Sequence, residues 1–125
     1  MVKSILIADN SALIRQGLWG LFSRKADYEV CGEAENGTEA IEEAQELRPD
    51  LILLDLSMPV MNGLDAACAL TRLMPEVPVI MYSAFSDSFT QREARSAGVS
   101  ALVSKSENIS VLLGKARSLV YQIAA

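Results

Sequence analysis

The sequence predicts an α/β protein with a doubly wound, five-stranded parallel sheet and helices on both faces. Three observations favour this fold class. Short apolar runs of strand length alternate with longer segments whose apolar residues recur at helical spacing. Four of the short runs, at 5–8, 51–54, 79–82 and 102–103, are apolar, as in strands that are buried on both faces. The connections between the segments are short, as expected for helical crossovers in a parallel sheet.

Five strand–helix units follow one another along the chain. The predicted strands span about 4–8, 28–34, 50–54, 79–82 and 101–104. The predicted helices span about 11–25, 38 to a stop at Pro49, 64–74, 87–97 and 107–123. Asn36-Gly37 is typical of a turn, and Thr38 is the predicted cap of the second helix. The first helix is expected to bury a face that carries Leu13, Ile14, Leu18, Leu21 and Phe22. The fourth helix has the fewest large apolar residues, and we expect it to be held more loosely than the others.

Length and composition limit the class of protein. The 125 residues suffice for one domain, which we expect to span 1–125. Half of the residues are hydrophobic and 22% are charged, which excludes a disordered chain. A formal charge of −5 argues against direct binding of nucleic acid. No apolar stretch approaches the ~18 residues of a membrane span, and no cleavage motif follows the apolar run after Lys3. We therefore expect a cytoplasmic protein without a membrane partner.

Cysteine and histidine usage excludes several kinds of site. The chain has no histidine, which removes His-based zinc sites and Ser-His-Asp triads. Its two cysteines, Cys31 and Cys68, are far apart and lie inside predicted elements. We expect both to be free, buried thiols, because cysteine packs as a small hydrophobic residue.

Polar side chains follow four of the five predicted strands. Asp9 and Asn10 follow the first strand, Asp55 the third, Ser83 the fourth and Lys105 the fifth. In open α/β sheets, ligands and chemistry collect at the carboxyl ends of the strands. We therefore expect these side chains to meet in one crevice, and their chemistry favours a phosphoryl site.

Each of these residues also has a simpler explanation when it is taken alone. Asp9 and Asn10 could cap the first helix, Asp55 could be a helix cap or turn residue, Ser83 could be a loop residue, and Lys105 could be a solvated surface amine. Together, these explanations require four independent coincidences on four strands of one fold. The shared crevice is the better interpretation.

Four motifs resemble the receiver domain of two-component response regulators, and the resemblance covers the whole chain. In chain order, they are Ile5-Leu6-Ile7-Ala8-Asp9-Asn10, Leu53-Leu54-Asp55-Leu56-Ser57-Met58-Pro59 with Asn62-Gly63, Tyr82-Ser83-Ala84, and Val103-Ser104-Lys105. The segments 11–18 and 105–107 further resemble the subgroup whose receivers precede a helix-turn-helix output domain. The resemblance implies a flavodoxin-like sheet with the strand order 2-1-3-4-5.

The resemblance implies roles for three of the strand-end residues. Asp55 would accept a phosphoryl group from a histidine kinase, so the domain would be a phosphoacceptor that assists its own phosphorylation rather than a turnover enzyme. Lys105 would pair with the acids at rest and with the phosphoryl group after transfer. Ser83 would turn its hydroxyl toward a phosphoryl oxygen and so begin a conformational switch.

The resemblance also implies a Mg²⁺ site with one departure from the family pattern. Its ligands would be Asp9, Asn10, Asp55 and the backbone carbonyl of Ser57. Receivers typically have two acids after the first strand, whereas Asn10 provides an oxygen without charge. A unit-charge attraction is roughly 4 kcal/mol at about 4 Å and an effective dielectric of about 20, before desolvation is subtracted. We therefore expect weak Mg²⁺ affinity and slow phosphorylation.

Two further departures concern the fifth strand and the loop after it. Many receivers have an aromatic ring at the position of Leu102, and this ring turns inward during switching. We therefore expect coupling through repacking and the fourth helix instead. Ser106 replaces the proline that often follows the lysine, and we expect it to cap the last helix.

Partners follow from the resemblance, and other functions stay open. A histidine kinase is expected, and a DNA-binding output domain outside this chain and a homodimer through the first and last helices are left open. The alternative function is a receiver-like interaction module that signals without phosphorylation, which Asn10 favours. An Asp-nucleophile phosphatase is disfavoured because Ser57 stands where such enzymes have a second aspartate. A flavodoxin-like cofactor carrier is disfavoured because no Ser/Thr/Gly-rich loop follows the first strand.

Overall fold

The structure is a computed structural model that describes residues 2–84 and 87–121. Its strands are β1 (Lys3–Ala8), β2 (Tyr28–Ala34), β3 (Leu51–Leu54), β4 (Val79–Ser83) and β5 (Ala101–Ser104). Its helices are α1 (Ala12–Ser23), α2 (Gly37–Leu47), α3 (Gly63–Leu73), α4 (Ser88–Ser96) and α5 (Ile109–Val120). The strands form a parallel sheet in the order β2-β1-β3-β4-β5, which confirms the predicted fold class and strand order.

Two hydrophobic clusters cover the two faces of the sheet. Alternate residues of the central strands point to opposite faces, so apolar runs such as 51–54 contribute to both clusters. One face packs against α2, α3 and α4, largely through the small residues Ala40, Ala44, Ala66, Ala67 and Ala94. The other face packs against α1 and α5 through Leu18, Phe22, Leu112 and Ala116. Burial of both faces explains why the central strand β3, Leu51–Leu54, is apolar throughout.

Side-chain caps define where the helices begin. The capping residues of α1 to α5 accept a hydrogen bond from a backbone N–H of the first turn and are Ser11, Asn36, Asn62, Asp87 and Asn108. Two predicted caps were wrong, since Asn36 rather than Thr38 caps α2 and Asn108 rather than Ser106 caps α5. The predicted extension of the last helix to 123 lies outside the described residues.

Two predictions about burial were also wrong. Leu13 is 78% exposed, although we placed it on the inner face of α1. The buried residues of α1 are Arg15, Leu18 and Phe22, and Leu13 lies roughly 200° around the helix from Arg15. Cys68 is exposed on α3, whereas Cys31 is partly buried on β2, and both are free thiols.

Helix α4 has few buried residues. They are Thr90 and Ala94, which fits a helix held by little apolar area, although its looseness stays a prediction.

Among the helices of residues 2–84 and 87–121, none has the length and apolar character that a membrane crossing requires.

Candidate functional site

The register of the two central strands brings Asp9 and Asp55 side by side. Ala8 at the end of β1 is paired with Leu54 at the end of β3. The backbone N–H of Asp55 donates to the carbonyl of Ala8 at 2.9 Å. The next residue of each strand therefore leaves the same edge of the sheet. Asp9 is 2% exposed and Asp55 is 6% exposed, so two carboxylates are buried at one point.

Lys105 joins both carboxylates from the end of β5. Its Nζ donates to Oδ2 of Asp9 at 2.9 Å and to Oδ1 of Asp55 at 3.1 Å. Its backbone N–H donates to the carbonyl of Ser83 at 2.7 Å, which links the ends of β4 and β5. The structure therefore brings Asp9, Asp55 and Lys105 together, as the strand-end pattern predicts.

The other predicted site residues lie around this ion-paired group. Ser83 is fully buried at the end of β4 and is paired with Ser104 in the sheet. Asn10 and Ser57 are exposed. They line a cleft of about 490 Å³ together with Met58, Pro59 and Asn62 among others. Asp9, Asp55 and Lys105 thus form a partly buried contact, whereas Asn10 and Ser57 face open space beside it.

The buried charges shift two pKa values. Burial raises the pKa of Asp55, the neighbouring Asp9 carboxylate raises it further, and Lys105 only partly offsets these effects. Burial alone would lower the pKa of Lys105, but hydrogen bonds and charge attraction from Asp9 and Asp55 raise it above its ordinary value. The raised pKa of Asp55 thus comes mainly from burial, whereas the raised pKa of Lys105 comes from its two acidic partners.

The donor set of this cluster fits a hard cation. When both acids are ionised, two carboxylates against one amine leave one surplus negative charge. Asp9, Asp55, Asn10 and Ser57 offer oxygen donors, which Mg²⁺ prefers. In the described ranges 2–84 and 87–121, no group of three or more histidine, cysteine or acidic side chains is placed to hold a metal ion. Neutral oxygens would therefore have to complete any metal site here.

A comparison with known families identifies the chain. The sequence profile of the response regulator receiver domain matches residues 5–117. The chain belongs to the response regulator receiver family. It is therefore a receiver domain of two-component signal transduction.

Individual relatives agree with this assignment. The receiver is 40% identical to the chemotaxis protein CheY of Thermotoga maritima, over 84% of this chain and 87% of that protein. It is 39% identical to the transcriptional regulatory protein LnrK of Bacillus subtilis, over 84% of this chain and 47% of LnrK, and so spans about half the length of that relative. The crystal structure of the response regulator domain of T. maritima CheB matches with a TM-score of 0.91 and 29% identity, over 99% of this chain and 100% of that one.

Sequence reasoning missed Arg15 of the receiver, which lies directly beside the acid cluster. Arg15 is 8% exposed, and its Nη1 donates to the backbone carbonyl of Asp9 at 2.5 Å. Its Nε donates to Oε1 of Glu33 at 2.6 Å. A signal was present, because Arg15 precedes Leu18 by three residues and Phe22 by seven, the spacing of the buried stripe of α1.

Ser104 and Ser106 shape the loop that carries Lys105. The Oγ atoms of the two serines lie 2.7 Å apart, and the N–H of Ser106 donates to Oγ of Ser104 at 3.2 Å. The N–H of Ser104 donates to Oε1 of Glu107 at 3.3 Å. The Ser106 hydroxyl is therefore used inside the loop, which explains why it does not cap α5.

The raised pKa of Asp55 predicts a pH-dependent gain in stability for the Asp55→Asn variant. An acid whose pKa is higher in the folded state binds more protons there, so stability falls as pH rises above its ordinary value of 3.8. The Asn variant lacks this penalty, and its amide oxygen can still accept from Lys105. We expect Asp55→Asn to stabilise the receiver by about 1 kcal/mol at neutral pH, and the gain to vanish below about pH 3.8.

Thermal unfolding of both proteins across this pH range checks the prediction. Glu76→Gln, which neutralises an exposed acid, is the control and should show little change at neutral pH. An Asp55→Asn variant no more stable than the native receiver at neutral pH would contradict the prediction.

Proposed function

We propose that this receiver accepts a phosphoryl group on Asp55 from the phosphohistidine of a histidine kinase. The observation that carries the proposal is the contact of the partly buried Lys105 with the buried carboxylates of Asp9 and Asp55 at the carboxyl end of the sheet. A buried ion pair contributes little net stability, whereas a carboxylate with a raised pKa beside a second acid and an amine is typical of a functional site.

Transfer needs little covalent chemistry from the protein. A carboxylate oxygen of Asp55 attacks phosphorus, the phosphorus–nitrogen bond of the donor imidazole breaks, and its electron pair stays on the nitrogen. The product is an aspartyl phosphate, and the domain is a phosphoacceptor rather than a turnover enzyme. The Nζ of Lys105 then pairs with a phosphoryl oxygen instead of the Asp55 carboxylate.

Residues around Asp55 would hold Mg²⁺ during transfer. The carboxylates of Asp9 and Asp55, the amide oxygen of Asn10 and the backbone carbonyl of Ser57 are the proposed ligands. The bound ion supplies positive charge against the phosphoryl oxygens. Because Asn10 brings no charge, the proposed affinity for Mg²⁺ is weak and phosphorylation is slow.

The proposed switch begins at Ser83 and reaches the surface near Leu102. The Ser83 hydroxyl turns toward a phosphoryl oxygen, and the Ser83 carbonyl is already bonded to the backbone of Lys105. Leu102 is partly buried on β5 and lines a cavity of about 380 Å³ with Ala94 and Arg95 of α4 among others. This space permits α4 to repack against β5 without a rotating aromatic ring.

The wider assembly is proposed from the relatives. LnrK is a transcriptional regulatory protein of about twice this length, and we propose that residues 1–125 form one receiver domain that controls a DNA-binding output domain. The receiver itself, with a formal charge of −5, would not contact nucleic acid. Its proposed location is the cytoplasm, with a histidine kinase as partner and dimerisation through α1 and α5 as an additional route of control.

A second candidate is an interaction module that signals without phosphorylation. The exposed, uncharged Asn10 favours it, because the site has one carboxylate fewer than the family pattern. Both candidates use the same fold, and they differ in whether Asp55 reacts at all.

Reaction with acetyl phosphate tests the proposal. The native chain is incubated with acetyl phosphate over a range of Mg²⁺ concentrations, and its intact mass is measured. We expect a Mg²⁺-dependent gain of one phosphoryl group that is lost in Asp55→Asn. Asp50→Asn is the matched control, because Asp50 lies at the opposite end of the same strand, bonded to Ser4, and should not affect labelling. No gain of mass at any Mg²⁺ concentration would support the interaction module instead.

A further inference from the structure

Arg15 holds the loop that carries the strand-one metal ligands. Its Nη1 donates to the backbone carbonyl of Asp9 at 2.5 Å, and this carbonyl belongs to the peptide group that joins Asp9 to Asn10. A charged donor makes a shorter and stronger hydrogen bond than a neutral one. Arg15 therefore sets the orientation of the peptide from which both proposed ligands project.

The rest of the Arg15 side chain is held by two acids. Nε donates to Oε1 of Glu33 at 2.6 Å, and Nη2 lies 3.5 Å from Oε1 of Glu35. The Arg15 side chain is 9% exposed, whereas Glu33 and Glu35 are 45% and 66% exposed. The guanidinium thus bridges the end of β2 and the loop after β1, and its charge is neutralised on the side away from Asp9.

Other contacts fix the remaining atoms of Asp9. Its N–H donates to the carbonyl of Ala34 at 3.0 Å, and its Oδ1 accepts from the N–H of Ser11 at 2.9 Å. Oδ2 accepts from Lys105. The side chain of Arg15, on α1, contacts Asp9 at its backbone carbonyl.

We infer that Arg15 is a positioning residue for the metal site, which it orients through the Asp9 carbonyl while Glu33 aligns its guanidinium. The inference rests on the proposed function, because it concerns Mg²⁺ binding at Asp9 and Asn10. Partners that orient metal ligands without touching the metal typically contribute about 10–100-fold to affinity.

The Mg²⁺ affinity of Arg15 variants distinguishes a positioning role from a purely electrostatic effect of the arginine charge. A cation near the site repels Mg²⁺, so by Coulomb's law alone Arg15→Gln would tighten binding and Arg15→Lys would leave it unchanged. If Arg15 positions the loop, both variants weaken binding, because neither side chain can donate to the Asp9 carbonyl and to Glu33 with the planar fork of arginine.

The experiment measures Mg²⁺ binding to the native chain and its variants, with Mg²⁺ as the only ligand. Isothermal titration calorimetry gives the affinity, and the Mg²⁺-dependent rise in the unfolding temperature gives a second measure of binding. We expect Arg15→Lys and Arg15→Gln to weaken binding about tenfold or more. Arg24→Gln is the matched control, because Arg24 caps the other end of α1 and is exposed, and it should bind as the native chain does.

A pair of milder variants keeps the test valid if the Arg15 variants do not fold. Glu33→Gln and Glu35→Gln remove the same charge, but Glu33 lies 2.6 Å from the guanidinium and Glu35 lies 3.5 Å from it. Positioning predicts a larger loss of Mg²⁺ affinity for Glu33→Gln that persists at high ionic strength, whereas any loss through charge alone is screened by salt in both variants.

The outcomes separate this inference from the proposed function. Tighter binding by Arg15→Gln, unchanged binding by Arg15→Lys, or equal losses for the two glutamate variants would overturn the positioning role. A native chain that shows neither heat of binding nor a shift in unfolding temperature with Mg²⁺ would instead overturn the metal site of the proposed function.

Discussion

Gly63→Ala is expected to destabilise the receiver by about 3 kcal/mol and to abolish the proposed phosphorylation of Asp55. A Cβ atom on Gly63 would lie 2.1 Å from the backbone carbonyl oxygen of Asp55 and 2.8 Å from Cα of Leu56. Both atoms are backbone, so the strain cannot be relieved by rotating a side chain. The N–H of Gly63 also donates to the carbonyl of Leu56 at 2.8 Å, which holds the start of α3 against the residues that follow β3.

This close approach explains why one methyl group would affect both folding and chemistry. Relief of the contact requires α3 to move away or the Asp55 peptide to rotate, and either change moves the Asp55 carboxylate relative to Lys105. Unfolding by urea measures the loss of stability. Labelling by acetyl phosphate, at a temperature where the variant is still folded, measures the loss of reactivity.

Gly114→Ala is the matched control for Gly63→Ala. Gly114 lies within α5, and a Cβ atom there would have no heavy atom within 4 Å. Alanine should therefore stabilise the helix by about 0.5–1 kcal/mol and leave labelling unchanged. A Gly63→Ala variant as stable and as reactive as the native chain would show that the β3–α3 loop can relax, contrary to our expectation.

The ends of the strands could be predicted because burial leaves a clear pattern there. Residues 51–54 face two apolar layers and can carry no polar group, so the first polar residue after them, Asp55, marks the edge of the sheet. The same reasoning applies to Asp9 after β1, whereas in β5 the polar Ser104 already ends the apolar run before Lys105. Parallel strands in register then bring these ends together, and no knowledge of side-chain contacts is needed to predict it.

Helix caps and helix faces were predicted less well because several residues satisfy the same local rule. Asn36 and Thr38 can both cap a helix, and we interpreted Asn36-Gly37 as a turn although the Asn36 side chain caps α2. Ser106 and Asn108 present the same ambiguity before α5. It is resolved by the contact between the Ser106 and Ser104 hydroxyls, which depends on the conformation of the loop.

Arg15 was missed for a different physical reason. Apolar periodicity identifies a buried stripe by its apolar residues, so Leu13 was assigned to the stripe and Arg15 was not. Arg15 is buried because two carboxylates and a carbonyl satisfy its guanidinium. The two carboxylates belong to Glu33 on β2 and Glu35 directly after β2, which are distant from Arg15 in sequence. Buried ionic contacts of this kind depend on tertiary structure and leave little trace in local sequence.

Asn10→Asp is expected to tighten Mg²⁺ binding about tenfold or more and to speed the labelling of Asp55. Only two carboxylates, Asp9 and Asp55, meet in the described part of this cluster, and they already share Lys105. About a third of the roughly 4 kcal/mol attraction between unit charges at close range would suffice for a tenfold change. Because Asn10 faces an open cleft, water will screen the new charge, and we expect the increase in Mg²⁺ affinity to be close to tenfold.

Asn10→Asp should also lower the stability of the receiver in the absence of metal. A third carboxylate beside two others raises the repulsion among them, so Asn10→Asp should unfold at a lower temperature than the native chain without Mg²⁺ and show a larger rise when Mg²⁺ is added. Asn62→Asp is the control, because Asn62 lines the same cleft but its side chain accepts from the N–H of Asp65. It should give a smaller gain in affinity.

The comparison of Asn10→Asp with the native chain also decides between the two candidate functions. If both chains are labelled and the variant reacts faster, Asn10 tunes a working phosphoacceptor site. If the variant is labelled and the native chain is not, the fold retains the Asp55 and Lys105 geometry, but Asn10 has removed the charge needed to use it, and the interaction module is the better description. An affinity for Mg²⁺ in Asn10→Asp that is equal to or weaker than that of the native chain would contradict the assignment of Asn10 as a metal ligand.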